Sequence, residues 1–500
     1  MPASKAREQV KIMSAPTNQH TVNYYPVNNG GYQMWITYDG AQYKDDMQTA
    51  KNLGFNTMRV FLAAAGGAFD FSRPTAAELA NLAEFYNSSV EVGIKLHLTL
   101  FDLWGAYGLI SGSRTWIAAV LGALPNTTNI AVIEIQNETR YALTSSYSGG
   151  FDSGWPAGTT QYGEIGQVAI VWAQQMIPYV RSIAPGVPVT SSTSYGTADL
   201  AAFFAAVNKT GAAPSWYDWH CYTGSGSLVY SAIQGAVSVV GNPATLYIGE
   251  TGLSSTPSGT QGTLQAQQAE SDYIQAMRWS CAQLGMPDPA PWILFDMNNS
   301  AQFPGGQTYG LYNTSGGAKL AAVMYKSIPP GATVPAITIN GTMQGCQPDA
   351  SGNKLPVRWF LYKGNSGAQP IDSTIDTTNT YQGNPTILLT GSRATSGGDN
   401  PPALQSCPVT LPVISAGTSY EFSCALKASG SYGSPCLEIS WYNSSGAYLT
   451  SANGKKLTLG DSFSSYTLSG TAPATAAYAW LLVNVADNAG KIWVGGATWT

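Results

Sequence analysis

Charged side chains are scarce in this 500-residue chain: 23 Lys and Arg and 28 Asp and Glu, 10% of residues, for a net charge of −5. An ordinary soluble domain carries about 25%. No basic stripe or arginine-rich arm is there to neutralise a run of phosphates, so nucleic acid is not an expected partner. Histidine is rarer still, at His20, His97 and His220. The six cysteines, Cys221, Cys281, Cys346, Cys407, Cys424 and Cys436, include no CxxC pair, which excludes a zinc site of the usual spacing. No run is long and apolar enough to span a membrane, so none is an expected partner, and the first twenty residues hold no apolar signal core. No GxGxxG follows the first strand-like run, which weakens a nucleotide reading. A serine nucleophile lacks its GxSxG elbow. Asp39, Asp45, Asp46 and Asp70 do not have calcium-loop spacing. Neither metal nor cofactor is expected.

What is present is a chain 44% hydrophobic, enough to fill real cores, with 28 Tyr and 14 Trp. Aromatic rings at that density serve cores and also sites for flat, neutral, hydroxyl-rich ligands. From Gly31 to Lys326 one rhythm repeats: an apolar run, a Gly-rich or polar stretch, a helical pattern. The strand-like runs are Tyr32–Thr37, Asn56–Leu62, Ile94–Phe101, Ile130–Gln136, Val187–Ser191, Trp216–Cys221, Thr245–Gly249 and Trp292–Asp296. Pro74 opens one intervening helix, and Gly54 and Gly93 close others. Eight such units fit a closed (β/α)8 TIM barrel. After Ile328-Pro329-Pro330-Gly331 helical windows give way to short β-rich runs, which read as an all-β antiparallel sandwich. The expected division is a flexible segment 1–20, a barrel 21–329, a linker 330–338 and a sandwich 339–500. The even cysteine count is compatible with disulfides Cys424–Cys436 and Cys346–Cys407, or with buried free thiols. Low charge, Ser/Thr-rich character and this cysteine usage lead us to expect a secreted protein, its export signal not in this sequence, acting as a monomer.

In such barrels chemistry collects at the C-terminal ends of the strands. The fourth run ends in Asn137-Glu138 and the seventh in Gly249-Glu250. Two carboxylates about 5–5.5 Å apart support retaining hydrolysis, one attacking the anomeric carbon and the other protonating the leaving oxygen. The bland alternative is two loop glutamates with surface partners.

With these residues in place, the chain resembles the retaining glycoside hydrolase clan built on the (β/α)8 barrel, most of all glycoside hydrolase family 5, the cellulase/mannanase family. The resemblance runs from Gly31 to Tyr325. It is carried by Gly54-Phe55-Asn56-Thr57-Met58-Arg59-Val60, Asn137-Glu138, His220-Cys221-Tyr222, Gly249-Glu250 and Trp292-Ile293-Leu294-Phe295-Asp296. It implies Glu138 as acid/base and Glu250 as nucleophile. Arg59 would hold Glu250 ionised, Tyr222 would orient it, Asn137 would donate to the sugar 2-hydroxyl, and His220 would border the acid/base. As structural readings, Arg59 is a plain salt bridge, Tyr222 a packing ring and His220 a wall histidine.

Two positions depart from the family. His97 falls too early on strand three to reach the mouth, which leaves Asp102 and Trp104 there as sugar contacts. Trp292 falls at the start of strand eight, where it should sit deep, so the cleft floor would come from Trp35, Trp104 or Phe295, with Asp296 at the mouth. Trp155, in the unpatterned segment Thr144–Thr160, would wall the cleft, and Trp219 is a further aromatic candidate. The C-terminal part, from Pro412, resembles jelly-roll carbohydrate-binding modules, with Trp441, Tyr442, Tyr448 and Trp493 as exposed-ring candidates and Trp359 and Trp480 as core. The expected function is a retaining β-glycoside hydrolase on a β-linked polysaccharide, β-1,4-glucan or β-mannan leading. The alternatives are an exo-acting glycosidase or transglycosylase on short glycosides, and a carbohydrate-binding protein without turnover.

Overall fold

A computed structural model describes residues 14–500 apart from 65–68, 72–73, 103, 195, 209, 225, 257–262, 299, 301, 338, 341–342, 344–346, 349–353, 357, 363–371, 392–402, 407–413, 444–446 and 486–488. The chain forms two compact units. The first comprises Met1–Tyr222, Ala232–Gly252 and Met277–Val334; the second comprises Thr223–Ser231, Leu253–Ala276 and Pro335–Thr500.

Strands and helices alternate through the barrel region. In order they are β1 (Thr21–Asn23), α1 (Gln33–Ile36), α2 (Gly40–Asn52), β2 (Thr57–Phe61), α3 (Ala76–Val92) and β3 (Lys95–Phe101). Next come α4 (Ile110–Gly122), β4 (Ile130–Gln136), α5 (Ile165–Ile183), β5 (Val189–Thr190), β6 (Ser192–Thr193) and α6 (Thr197–Val207). Then follow β7 (Tyr217–Cys221), α7 (Val229–Val240), β8 (Leu246–Thr251), α8 (Thr263–Gln283) and α9 (Leu320–Ser327). β1 to β5 pair in sequence as one parallel sheet, and β6 to β8 as another. β5 and β6 are halves of one strand broken at Ser191. The far edges are joined by 290–294: Trp292 N–H donates to Thr251 O (2.7 Å) and Leu294 N–H to Asn23 O (3.0 Å). With that stretch as the eighth strand, the parallel wall closes.

Local chemistry explains the element ends. α3 opens with a capping box, Thr75 accepting from Glu78 N–H while the Glu78 carboxylate accepts from Thr75 N–H, and it closes on Gly93 at φ 74°. The first strand is a correction. Thr21–Asn23 pairs with Thr57, Met58 and Arg59, whereas Tyr32–Thr37 holds a single helical turn. Met34 and Trp35 lie buried side by side, and Ile36 is 49% exposed. Contiguous apolar residues look like a strand, but one helical turn also turns two neighbours inward. The described part of the N-terminal segment is not loose: Ala15 N–H donates to Ala244 O (2.7 Å), and its methyl packs with Val132, Trp216, Tyr247 and Ala290.

The second unit carries β9 (Gln347–Pro348), β10 (Lys354–Leu355), β11 (Trp359–Tyr362), β12 (Asp372–Tyr381), β13 (Asn384–Thr390) and β14 (Ala403–Ser406). It continues with β15 (Ser419–Ser429), β16 (Cys436–Asn443), β17 (Tyr448–Asn453), β18 (Ser464–Thr471), β19 (Ala476–Asn484) and β20 (Lys491–Trp499). Two five-stranded sheets, β11-β14-β19-β16-β17 and β12-β13-β20-β15-β18, enclose one apolar core that includes Trp359, Ile387, Phe422, Ile439, Trp441 and Val494. Within this unit Arg358 forks onto Asp272, with Nε and Nη2 donating at 3.0 and 2.9 Å. The expected Cys424–Cys436 disulfide is not formed: β15 and β16 lie in different sheets, and both residues are free thiols. Cys346 and Cys407 lie outside the described residues. Trp441 and Trp493 are corrected as exposed rings, because Trp441 is core and the Trp493 indole donates to Asp376 (2.7 Å). Trp480, expected as core, is half-buried. Tyr448 is exposed and Tyr442 half-buried, their rings edge to face.

Asp296, expected at the mouth, is instead buried, where it accepts from Lys319 Nζ (3.0 Å) and Gly310 N–H (2.8 Å). Removing one partner of such a pair strands a charge in low dielectric, which costs about 3 kcal/mol. Lys319→Met is therefore expected to lower the unfolding free energy of the first unit, read from urea denaturation, by that amount, and the double variant Lys319→Met/Asp296→Leu to recover most of it.

Candidate active site

The centre of the barrel is organised by a cation. Arg59, on β2, is fully buried. Its Nε and Nη2 donate to the two oxygens of Glu134 on β4 (2.8 and 3.1 Å). Nη1 donates to Asn23 Oδ1 (2.8 Å) and Glu250 Oε1 (2.5 Å), and Nη2 also to Asn137 Oδ1 (2.8 Å). Burial works against the guanidinium charge, but Glu134 and Glu250 outweigh it and hold Arg59 above its ordinary range. Burial likewise works against the Glu134 charge, but Arg59 and His97 hold it well below the carboxylate range. Thr99 Oγ1 (2.7 Å) and His97 Nε2 (3.1 Å) complete the ring around Glu134. Burial pushes His97 down to about 4.

The mouth is built on that base. Asn137 Nδ2 donates to Asp102 Oδ1 (3.0 Å), whose Oδ2 accepts from Tyr25 OH (3.2 Å). Asp102 is thus a buried clamp on Asn137, not an open sugar contact. Glu138 adopts φ 45°, a left-handed conformation that costs a non-glycine residue about 1 kcal/mol or more. Its N–H donates to Ser192 Oγ (2.9 Å), and its side chain turns into solvent. Glu250, on β8, is only 5% exposed. Tyr222 OH donates to Glu250 Oε2 (2.9 Å). His220 Nδ1 stands between the two glutamates, 3.0 Å from Glu138 Oε1 and 3.4 Å from Glu250 Oε2. One oxygen of each glutamate and a nitrogen of His220 all lie within 4.8 Å of one another. The structure thus brings together Arg59, Asn137, Glu138, His220, Tyr222 and Glu250.

Other expected contacts are placed elsewhere. Trp35 is fully buried and donates to Phe61 O (2.8 Å), so it cannot floor a cleft. Trp104 is buried against Phe71 and Phe101, with centroids at 4.2 and 5.3 Å. Phe295 and Trp219 are buried too. Trp155 is half-buried and held by its indole N–H on Gly108 O (2.6 Å) and by Phe151. Trp292, expected deep, is level with Thr251, one residue beyond Glu250, and packs edge-on to Tyr25 and Phe61 (5.9 and 5.8 Å). Its register was misread because the eighth strand starts at 290. Glu134, Asn23 and Asp218 were missed altogether. The available signal was a carboxylate within an otherwise apolar run, as Glu134 is in Ile130–Gln136, since such a group must find a partner.

The protonation of the pair is uneven. Burial raises Glu250 above the ordinary carboxylate range, against the pull of His220 and Arg59. Burial alone would raise Glu138 as well, but a cationic His220 outweighs it and brings Glu138 below that range. Three donors face Glu250 and favour its anion against burial, while the proton on Glu138 depends on the charge of His220. Glu138, His220 and Glu250 are also the one group of potential metal donors so closely spaced among the described residues. Their lone pairs are engaged by each other, Arg59 and Tyr222, which suits proton transfer better than a metal.

The sequence matches no family model and no curated protein. Among solved structures it is similar to a GH5_18 protein from Streptomyces cattleya in complex with GlcNAc, at 16% identity and TM-score 0.48 over 63% of this chain and 80% of that one. The exo-beta-1,4-mannosidase Op5Man5 from Opitutaceae bacterium strain TAV5 follows at 17% and 0.47, over 62% and 59%. Bacteroides uniformis beta-glucuronidase 2 aligns at 10% and 0.45 over 96% of this chain and 65% of that one. Likenesses this remote assign neither substrate nor reaction to the chain; its side chains must do so.

Tyr222→Phe removes one donor from the Glu250 carboxylate without changing its burial. The Glu250 pKa is expected to rise further, because a hydrogen bond to the charged form favours that form. Carbon-13 NMR of labelled glutamate reads the shift directly.

Proposed function

We propose that this chain is a retaining glycoside hydrolase acting on a β-linked sugar. The observation that carries this reading is the pair Glu138 and Glu250, one just after β4 and the other near the C-terminal end of β8, with an oxygen of each within 4.8 Å. A separation near 5 Å leaves no room for a water between carboxylate and sugar, so the second carboxylate itself attacks. Glu250, ionised and oriented by Arg59 and Tyr222, is the nucleophile. Glu138, which reaches into solvent, protonates the leaving oxygen and later takes a proton from the incoming water. Asn137 is held at the mouth by Arg59 and Asp102, where its amide would meet the sugar 2-hydroxyl. Trp292, Tyr25 and Phe61 form an aromatic group beside Glu250, and Trp292 is the ring that would floor the reacting sugar. A neutral β-glucan or β-mannan, met outside the cell, suits a chain with few charges and an aromatic group beside Glu250.

Hydrolysis of a panel of aryl β-glycosides and defined β-glycans is the test. Proton NMR is expected to show a β-anomer as the first product. Glu250→Gln is expected to abolish turnover, and unchanged hydrolysis in that variant would end the reading. Glu138→Gln is expected to slow substrates with poor leaving groups by about a hundred- to ten-thousandfold, while sparing the first step with a dinitrophenyl leaving group.

A further inference from the structure

Asp218 lies on β7 two residues before His220, fully buried, and among the described residues neither of its carboxyl oxygens has a hydrogen-bond partner. Its Oδ1 is 4.0 Å from His220 Nε2. The space it fills is kept by Gly249, where a Cβ would come within 2.2 Å of Asp218 Oδ1. His220 Nδ1 faces two carboxylates, so that nitrogen carries a proton in either charge state. The charge of the ring is therefore decided at Nε2, which has no hydrogen-bond partner among the described residues.

We propose that Asp218 is a positioning residue for the catalytic proton: acting on Nε2, it decides whether His220 is neutral or cationic, and so whether Glu138 keeps the proton it donates. This rests on the glycosidase reading. With Asp218 neutral, the ring is neutral, donates from Nδ1 to Glu138 Oε1, and leaves the Glu138 proton on the oxygen facing the leaving group. With Asp218 ionised, a proton on Nε2 is favoured by an anion 4.0 Å away in low dielectric. The ring becomes an imidazolium by taking on Nε2 the proton that Asp218 gives up; the new cation beside Oε1 favours the Glu138 anion, Glu138 releases its proton to water at the mouth, and the acid is lost.

Every charged neighbour enters this balance. Asp218 faces His220 on its own strand, Arg59 of β2, Glu134 of β4, and Tyr247 and Glu250 of β8. His220 in turn faces Glu138, Glu250, Arg59 and His97. Burial, then the charge of Glu134, push Asp218 up to about 7, so the switch falls where an enzyme works. The sign follows: acid function is present below that pH and lost as Asp218 ionises above it.

Asp218→Asn keeps the size that Gly249 allows and cannot ionise. For a β-glycoside with a poor leaving group, the alkaline limb of kcat/KM is expected to move up by about one pH unit. For a dinitrophenyl glycoside, whose departure needs no proton, the profile is expected to stay in place. An unmoved limb, or equal shifts for both leaving groups, would overturn the inference. In the unaltered protein, nitrogen-15 and carbon-13 NMR are expected to show His220 Nε2 and the Asp218 carboxyl titrating together near pH 7. Independent titration would overturn the inference even if the variant does not fold. A protein that cleaves no β-glycoside would end the glycosidase reading, and the same titration would still decide whether Asp218 governs His220.

Discussion

A guanidinium sealed from water holds this barrel's interior in order. Arg59 alone, in that setting, would cost several kcal/mol in lost solvation. It is tolerated because Glu134 fills its Nε/Nη2 fork while Glu250, Asn23 and Asn137 take the remaining directions. Those partners come from β1, β4 and β8 and from the turn after β4, so one side chain ties together elements distant in sequence. Lysine could not replace it, since a single ammonium cannot grip a carboxylate in a fork and still reach three other acceptors.

The same strand shows how environment divides one chemistry into two roles. β4 carries Glu134, and Glu138 follows four residues later. Glu134 is buried, forked by Arg59 and capped by Thr99 and His97, so it is ionised throughout and serves as a counter-ion. Glu138 has left the strand through a strained turn, meets solvent, and among the described residues has His220 against its carboxyl. A carboxylate without a fixed cation can gain and lose a proton. Strain at φ 45° is thus the local cost of lifting this side chain off the wall and over the mouth.

Much of this was legible in the residues. The alternation of apolar runs and helical patterns marked seven of the eight barrel strands, and Arg59, Asn137-Glu138, His220, Tyr222 and Glu250 stand together as their order along the chain suggested. What stayed hidden has physical reasons. β1 is three residues long, too short for any period to show, so the apolar Met34-Trp35-Ile36 was read in its place. The eighth strand carries few ladder bonds, and a start two residues early was enough to send Trp292 to the wrong depth. In the sandwich, β12 reads Asp372-Ser373-Thr374-Ile375-Asp376-Thr377-Thr378-Asn379-Thr380-Tyr381, largely exposed, with no apolar face to betray it. The Cys424–Cys436 pairing failed, and the alternative of free thiols held there, because spacing says nothing about which sheet a strand joins.

The position of His220 also bears on how charge is conserved through the proposed reaction. Before the first step Glu138 is protonated and Glu250 is an anion. After it, Glu138 has given up its proton and Glu250 is tied up as an ester. One negative charge beside the ring has exchanged places with another. Since Nδ1 lies 3.0 Å from Glu138 Oε1 and 3.4 Å from Glu250 Oε2, a single N–H reaches both carboxyl groups without the ring moving far. The buried wall of Arg59, Glu134 and Asp218 then sees the same net charge in both halves of the cycle. No proton has to enter or leave the barrel's interior, and the only groups that exchange protons with substrate and water are those at the mouth.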